Sequence, residues 1–333
     1  MVKILLNTRP DDFWKEQTDL IRRRIDPDAL FAPDISTVRH EELKDVRGLI
    51  TYGLDSAVLP YLTSLQIVGI PMAGINTLPV PQLRERGVMI INAHANGRYV
   101  AERALALLLA AAGKIVSGDK NLRQGRWHGF AAGEPAELSW RPVSEMTVVV
   151  VGIGSIGQWT ARYLKPFGSR IIGVRRRTGS DGIPDGLFDE ITTDLDDACQ
   201  RADALIVTLP STPDTVGLIG DAHFHALEGG ILVNVGRGDV LDERALYRAC
   251  GAGRITAAID TWFSYPDPPG SRCMPSRYPL EQLDNVVLSP HLGGYTLPAT
   301  TASGREIVER FIDWADRGMP ATMENTVDLE AGY

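Results

Sequence analysis

Cysteine is scarce in this chain. Cys199, Cys250 and Cys273 are the only three in 333 residues, too scattered for a disulfide framework or a metal-ligand spacing. They read as unpaired thiols, which suits a reducing, cytoplasmic setting. Histidine is limited to six residues, and none of them falls into a cluster that would indicate a metal. A long hydrophobic run is also missing. The longest apolar stretch, residues 104–112, is far short of the roughly 20 residues that a membrane helix needs. The short apolar start passes straight into polar sequence, with no signal pattern expected there. Positive charge is in deficit, at a formal net −8. That disfavours nucleic acid as a general partner, although a local basic patch can still hold a phosphate. There is no internal repeat and no low-complexity tract. What is present is a 44% apolar fraction and a length sufficient for two domains with real cores.

Residues 148–157 are the most informative segment. Val148, Val149, Val150 and Val151 form a buried strand by composition, and Gly152, Gly154 and Gly157 follow at relative positions one, three and six. The first glycine permits a tight turn. The second lets the backbone approach a pyrophosphate, and the third lets helix and strand pack closely. The N–H groups of Ser155 and Ile156 at the start of the following helix would hold the anion. Helical spacing continues over residues 158–167, with Trp159, Ala161, Tyr163 and Leu164 as candidates for burial. A dinucleotide is the expected ligand.

The next strand, residues 171–174, ends in Arg175, Arg176 and Arg177. An NAD site usually carries Asp or Glu at this point, bonding the ribose hydroxyls. Three guanidinium groups instead suit a 2′-phosphate, which Arg grips with parallel hydrogen bonds. NADP is therefore favoured as cofactor, and NAD remains open.

Two α/β regions are legible. The first has strands near residues 2–6, 48–52, 65–70 and 88–91, with a short helix from about 80 to 86, and reads as a small parallel sheet covered by helices. It stops near residues 94–97. A single long helix is expected from about 99 to 119, apolar on nearly every face over 104–112, which predicts burial between domains or at a subunit contact. Residues 123–142 are irregular and carry Trp127, His128, Phe130 and Trp140, a composition suited to packing against a partner chain or to an ordered loop packed on its own domain. The second region continues with a strand near Phe188, a helix over 194–199, strands over 204–209 and 230–235, a helix over 242–251, and strands over 255–259 and 285–288. A terminal helix from about 299 to 317 returns to the first domain. The expected division is 1–98, 99–289 and 290–333.

Polar residues of the right type stand at the ends of three of these strands. Arg237 follows a strand between Gly236 and Gly238, whose glycines leave it open and permit unusual backbone angles. Its guanidinium can bind a carboxylate and polarise a neighbouring carbonyl, or else pair with Asp242 or Glu243. His291 follows Ser289 and Pro290 and precedes Leu292, Gly293 and Gly294. Its near-neutral pKa suits it to give a proton to a ketone and recover it from an alcohol. Asp260 closes a small-residue strand, where it can accept from a nicotinamide amide or a neighbouring main chain, or cap a turn. His40, His94, His128, His223 and His225 are weaker candidates. Tyr52, Met72 and Trp262 can line a substrate pocket or sit in the core.

In combination these motifs resemble the D-isomer-specific 2-hydroxyacid dehydrogenase family, which includes phosphoglycerate, glyoxylate and hydroxypyruvate enzymes. The resemblance covers nearly the whole chain. Asn96 with Val100, Ala101 and Glu102 matches the helix start beside the cofactor. The three glycines match the fingerprint, and Leu209 and Pro210 through Thr215 match the loop over the cofactor. Asn234, Val235 and Gly236 lead into Arg237 as in the segment carrying the catalytic Arg. Asn285 through His291 and Gly294 matches the segment carrying the catalytic His. The resemblance implies an α/β fold of two doubly wound parallel-sheet domains, a Rossmann-like cofactor domain inserted in a flavodoxin-like substrate domain, and most often a homodimer. It further implies that Arg237 binds the substrate carboxylate and carbonyl, that His291 is the acid/base, and that main-chain N–H groups of Ala73, Gly74 and Ile75 hold the carboxylate from the other side.

One departure from the family pattern affects the chemistry. The family's Glu, five residues after the position of Asp260, is Tyr265 here. A neutral phenol cannot stabilise imidazolium as a carboxylate does, although it can orient the ring. Glu281 and Asp267 substitute for it only if loops bring them close. The expected function is reversible, NADPH-preferring reduction of a small 2-oxo acid to a D-2-hydroxy acid. The alternatives are oxidation of an anionic alcohol or phosphorus oxyanion, and a non-enzymatic dinucleotide sensor.

Overall fold

The computed structural model describes residues 2–136, 139–177, 182–318, 320, 323 and 325–328. The chain forms two compact units, Met1–Asn96 with Tyr295–Tyr333, and Gly97–Gly294.

The first unit is built on β1 (Lys3–Asn7), β2 (Leu30–Phe31), β3 (Val46–Thr51), β4 (Ile67–Ile70) and β5 (Met89–Asn92). All pairings are parallel, in the order β2-β1-β3-β4-β5, the flavodoxin-like winding. Parallel strands covered on both faces read as continuous apolar runs, as β4 does with four buried residues in succession. Helix α1 (Asp12–Arg24), not among the expected elements, is capped by Asp11, which accepts from the Trp14 N–H, and it buries Trp14, Gln17, Thr18 and Ile21. Short helices α2 (His40–Leu43) and α3 (Val80–Glu85) complete this part. The terminal helix, α10 by chain order (Leu297–Asp316), packs on this sheet. Phe311 lies where a side chain on Gly48 or Gly69 would stand. Glu306 of the same helix accepts the His94 and Ala95 N–H groups at 2.8 and 2.7 Å, which fixes the chain just before Asn96.

The second unit opens with α4 (Gly97–Ala112) and α5 (Ile115–Leu122). The single helix expected over 99–119 is thus two helices. Lys114 adopts a left-handed φ of 50°, and the Ala112 carbonyl accepts from the Arg141 N–H at 3.0 Å rather than from a further helical turn. The sheet follows, with β6 (Thr147–Val151), α6 (Ser155–Leu164), β7 (Arg170–Val174), β8 (Glu190–Thr192), α7 (Leu195–Gln200), β9 (Ala204–Val207), α8 (Asp221–Ala226), β10 (Ile231–Asn234), α9 (Glu243–Gly251), β11 (Thr256–Ile259) and β12 (Val286–Leu288). The strands run parallel in the order β12-β11-β10-β9-β6-β7-β8, which is a Rossmann-like doubly wound sheet. Helix α6 starts three residues before the expected 158 and stops at Leu164, because Pro166 cannot continue it and a short 3-10 turn takes over. Ala161 and Leu164 are buried in it, while Trp159 and Tyr163 are half-buried. The strand expected near Phe188 lies just beyond it, because Phe188 is buried, its ring standing where a side chain on Gly173 would go.

Cys199 and Cys250 are buried and Cys273 is exposed, each as a free thiol. Burial pushes both buried thiols up to about 12. Among the described residues no helix is long and apolar enough to cross a membrane.

Candidate active site

The three glycines of the turn after β6 differ in their surroundings. Gly152 has a φ of 93°, open to glycine at little cost, and a side chain there would press on Thr208 and Leu209 at 2.9 Å. A side chain on Gly157 would stand 2.1 Å from the Gly152 carbonyl oxygen, so only glycine lets α6 lie this close to the turn. Gly154 is different, with nothing within 4 Å of where its Cβ would go. It is the N-cap of α6 and no side chain caps that terminus. An uncapped helix start behind an open glycine is a cradle for an anion, and Ser155 and Ile156 supply its first helical N–H groups. These residues fit a dinucleotide pyrophosphate.

The surrounding loops are held by side-chain bonds. Thr208 donates to the Gly152 carbonyl at 2.6 Å. After Leu209, the Thr215 hydroxyl donates to the Pro210 carbonyl at 2.7 Å and accepts the Thr212 N–H at 2.8 Å, closing the 210–215 loop. Val235, just past β10, is buried and donates to the Val207 carbonyl at 3.1 Å. Beyond β7, Arg175 is half-buried and Arg176 and Arg177 are exposed. Arg176 meets Asp214 at 3.4 Å, a long and exposed ion pair that contributes little.

Arg237 stands at the end of β10. The Asn234 side chain clamps the turn, donating to the Arg237 carbonyl at 2.9 Å and accepting from Gly236 N–H at 3.0 Å. The flanking glycines serve close approach rather than unusual backbone angles. Side chains on Gly236 and Gly238 would lie 2.4 Å from the Leu209 carbonyl oxygen and 2.2 Å from the Trp262 carbonyl oxygen. The carboxylates that might have paired with Arg237 are engaged elsewhere. Asp242 caps α9 through the Ala245 N–H, and Glu243 accepts from Ser276 and Arg277. Among the described residues Arg237 has no ion pair; its guanidinium donates to the Gly236 carbonyl at 2.8 Å. Burial draws its pKa down from the usual Arg value, with Tyr265 and Asp239 opposing.

His291 and Tyr265 complete this cluster. Asp260, buried at the end of β11, accepts from the Ser289 hydroxyl and from the Leu292 and Gly293 N–H groups at 3.0 and 2.9 Å. Of the uses read from its position, the structure shows the main-chain one. These bonds keep residues 290–294 with the second unit instead of starting the return at 290. His291 rides on that turn at a φ of 55°. Burial and the Arg237 charge hold its pKa below the ordinary imidazole range, and the carboxylate acting to raise it is Asp260, not Glu281 or Asp267. The Tyr265 ring lies against the imidazole, centroids 5.4 Å apart and tilted by 51°. Its hydroxyl accepts the Trp262 N–H at 2.9 Å, so the phenol contacts the imidazole through its ring. Trp262 itself is core, its indole N–H donating to the Ser289 carbonyl at 2.7 Å.

In the first unit the segment after β4 carries Ala73, Gly74 and Ile75. The Asn92 side chain donates to the Ala73 carbonyl at 2.8 Å. Among the described residues no protein acceptor takes the three N–H groups. Asn96, the last residue of this unit's first segment, and Gly294, the last of the second unit, are both half-buried. Sequence reasoning did not anticipate the parts played by Ser289 and Glu243, because a strand-end serine and a helix-start glutamate are too common to stand out. No group of three or more His, Cys, Asp or Glu residues able to hold a metal occurs among the described residues.

Residues 105–293 match the profile of the D-isomer specific 2-hydroxyacid dehydrogenase, NAD binding domain. The chain belongs to the D-isomer-specific 2-hydroxyacid dehydrogenase family. It is 30% identical over 284 residues to a D-3-phosphoglycerate dehydrogenase of Archaeoglobus fulgidus, covering 83% of this chain and 50% of the relative. The chain therefore spans about half the length of the curated phosphoglycerate dehydrogenases that it matches. A glyoxylate reductase of Korarchaeum cryptofilum is 28% identical over 328 residues, covering 94% of this chain and 89% of the relative. Among solved structures, an NADPH-dependent glyoxylate/hydroxypyruvate reductase of Sinorhizobium meliloti, in complex with NADP and malonate, superposes with a TM-score of 0.74 at 26% identity, covering 99% of this chain and 98% of that one. A family member from Xanthobacter autotrophicus, in complex with NADPH and MES, gives 0.77 at 25% identity, with 100% and 99% coverage.

The glycine geometry generates a paired prediction for this family member. Gly154→Val should leave the melting temperature near that of the parent, because the space is open, yet weaken dinucleotide binding by about tenfold or more. Gly157→Ala should lower the melting temperature by several degrees. Thermal melts and NAD(P)H fluorescence titration test both, and equal dinucleotide affinity in Gly154→Val would remove that glycine from the site.

Proposed function

We propose that the chain is an NAD(P)-dependent oxidoreductase acting on CH–OH donors, reversibly reducing a small 2-oxo acid to a D-2-hydroxy acid with NADPH preferred. One observation carries the reading: a half-buried Arg237 without an ion pair among the described residues, close enough to His291 for its charge to depress the imidazole pKa. A half-buried cation without a counter-ion favours an anionic ligand. The Sinorhizobium reductase, crystallised with malonate and in another crystal with citrate, supports a carboxylate as that anion. Arg237 would grip the carboxylate and polarise the adjacent carbonyl, with the Ala73, Gly74 and Ile75 N–H groups as the further carboxylate donors. His291 gives its proton to the carbonyl oxygen during reduction and takes it back during oxidation. A bound reduced nicotinamide supplies the hydride. Gly152, Gly154, Ser155, Ile156 and Gly157 would hold the pyrophosphate, while Asn96, Leu209, Pro210, Thr215, Val235 and Gly294 line the rest of the cofactor. Asp260 retains a lone pair for the nicotinamide amide beyond its three protein bonds. Arg175, Arg176 and Arg177 would meet a 2′-phosphate, and two relatives of 25% identity or more carry NADP or NADPH in their crystals.

Apolar side chains are exposed along one stretch of the second unit, with Phe130 at 97%, Trp127 at 63%, Ile115 at 62% and Trp140 at 59% of their surface accessible. So much aromatic and aliphatic surface in one segment favours a subunit contact, and a homodimer is the assembly we propose. Phe130→Asp should shift sedimentation toward the monomer; a parent chain that sediments as a monomer at micromolar concentration would end this reading.

The cofactor preference has a direct test. Replacing Arg175 and Arg176 with Ala should lower kcat/KM for NADPH far more than for NADH, while equal losses would place both residues outside the 2′-phosphate site.

The pH dependence follows from the imidazole. Reduction needs protonated His291, so its rate should be full at low pH and fall as pH rises through a His291 pKa below the ordinary imidazole value. Tyr265→Glu restores a carboxylate beside the ring and should move the falling limb to higher pH. His291→Asn should cut kcat by about 10²–10⁴-fold. Stopped-flow reduction across pH reads all three, and an unchanged rate in His291→Asn would discard the acid/base assignment.

A further inference from the structure

Arg9 occupies a second polar site in the first unit, outside the residues matched to the family's motifs. It follows β1 directly, and its guanidinium lies 5.5 Å from the Tyr52 ring centroid and 5.4 Å from that of Tyr295. Both separations are within cation–π range. The two rings restrict the faces of the guanidinium and leave its N–H edge as the part able to bind. No ion pair to Arg9 is formed among the described residues. The side chain borders a cleft of about 240 Å³ lined also by Phe13, Leu297 and Thr300. That volume is below the usual range for drug-sized ligands and suits a chain of a few carbons.

The nearby acidic groups form no ion pair with Arg9 among the described residues. Asp11 and Asp12 line the same cleft, but Asp11 is engaged in capping α1 through the Trp14 N–H and Asp12 accepts from Lys15 at 3.0 Å. Tyr52 is anchored from below, its phenol taking a hydrogen bond from Trp14, and burial raises its pKa, so it stays a neutral wall. The cleft is also tied to the segment holding the free N–H groups. The Thr77 hydroxyl donates to the Tyr52 carbonyl at 2.7 Å, and the Leu54 N–H donates to the Thr77 carbonyl at 3.1 Å. Strand β3 separates β1 from β4, so the ends bearing Arg9 and Ala73 are two strand spacings apart, about 10 Å. An extended arginine covers much of that distance.

We propose that Arg9, framed by Tyr52 and Tyr295, is a distal subsite that reads a second carboxylate at the far end of the substrate, making the preferred ligand a four- or five-carbon 2-oxo dicarboxylic acid. The α-carboxylate takes the Ala73–Ile75 N–H groups, Phe13 and Leu297 flank the methylene chain, and Arg9 takes the terminal carboxylate with paired N–H bonds. This assignment rests on the 2-oxo acid reading of the active site for the identity of the ligand's other end.

The test compares 2-oxoglutarate with 2-oxopentanoate, which share a five-carbon chain and differ in the terminal carboxylate. The parent should favour the dicarboxylate in kcat/KM, and Arg9→Gln should lower that preference ratio by about 10- to 100-fold, with Arg9→Lys in between because charge is kept and the fork is lost. An unchanged ratio would overturn the subsite. Calorimetric titration with glutarate supplies an arm independent of catalysis. Binding by the parent that weakens in Arg9→Gln, at an unchanged melting temperature, supports the subsite even if neither oxo acid is reduced, an outcome that would fault the catalytic reading alone. Glutarate binding that is absent in the parent, or equal in both, counts against Arg9 whatever the turnover.

Discussion

Asp260 ties the end of β11 to the turn that follows β12. Its buried carboxylate accepts three hydrogen bonds, from Ser289, Leu292 and Gly293, and those bonds set the path of the chain through His291. Hydrogen bonds to an ionised acceptor are the stronger kind, which is what a non-glycine residue held at positive φ requires. A left-handed φ at His291 costs on the order of 1–2 kcal/mol, and three charge-assisted bonds exceed that. The donors Leu292 and Gly293 follow His291 directly while the acceptor comes from the neighbouring strand end, so the orientation of the imidazole depends on β11 and β12 lying side by side. Trp262 adds a second tie from the same strand end. Its indole holds the Ser289 carbonyl while its backbone N–H holds Tyr265, and one short segment therefore positions both rings.

The electrostatics of this cluster are unusual in sign. Burial works against a charge on Arg237 and on His291, and the two also repel each other. A carboxylate at position 265 would offset both effects, but the phenol there is neutral. The result is a site with one obligate cation and an imidazole biased toward its neutral form. An incoming carboxylate would relieve the desolvated guanidinium and, through it, ease protonation of the imidazole. Substrate charge then becomes part of what prepares the proton donor, a coupling that a resident carboxylate would make unnecessary.

Much of the second unit was legible from residue spacing, because Gly152 and Gly157 each have a steric reason that no other residue type satisfies. Gly157 beneath the Gly152 carbonyl is one such case. The break at Lys114 was not legible. Apolar residues continue on both sides of it, and the deciding event is a hydrogen bond to the Ala112 carbonyl from Arg141, 29 residues further on than Ala112. The glycines beside Arg237 were read correctly as meaningful but for the wrong reason, since their neighbours, Leu209 and Trp262, come from other strand ends. The buried stripe of α1 has helical spacing but places polar Gln17 and Thr18 between Trp14 and Ile21, so its Asp11 cap is the clearer signal. Arg9 carried no signal at all in sequence, for a lone arginine after an N-terminal strand is ordinary until Tyr295, 286 positions on, is seen beside it.

On the proposed reading both sheets would meet anions with the same two devices, and the division between them is physical. Main-chain N–H groups at the start of α6 and at Ala73–Ile75 are fixed dipoles that no side-chain substitution removes. They suit the invariant part of a ligand, a pyrophosphate or an α-carboxylate. Guanidinium groups supply the variable part. Arg175–Arg177 would distinguish one dinucleotide from another, and Arg9 one acid from another, each from the end of a strand where a single codon change alters charge without disturbing a ladder. Arg237 is the exception that marks the chemistry. Its flanking glycines lie against the Leu209 and Trp262 carbonyls, so the backbone that carries it is held closer than any other residue type would allow.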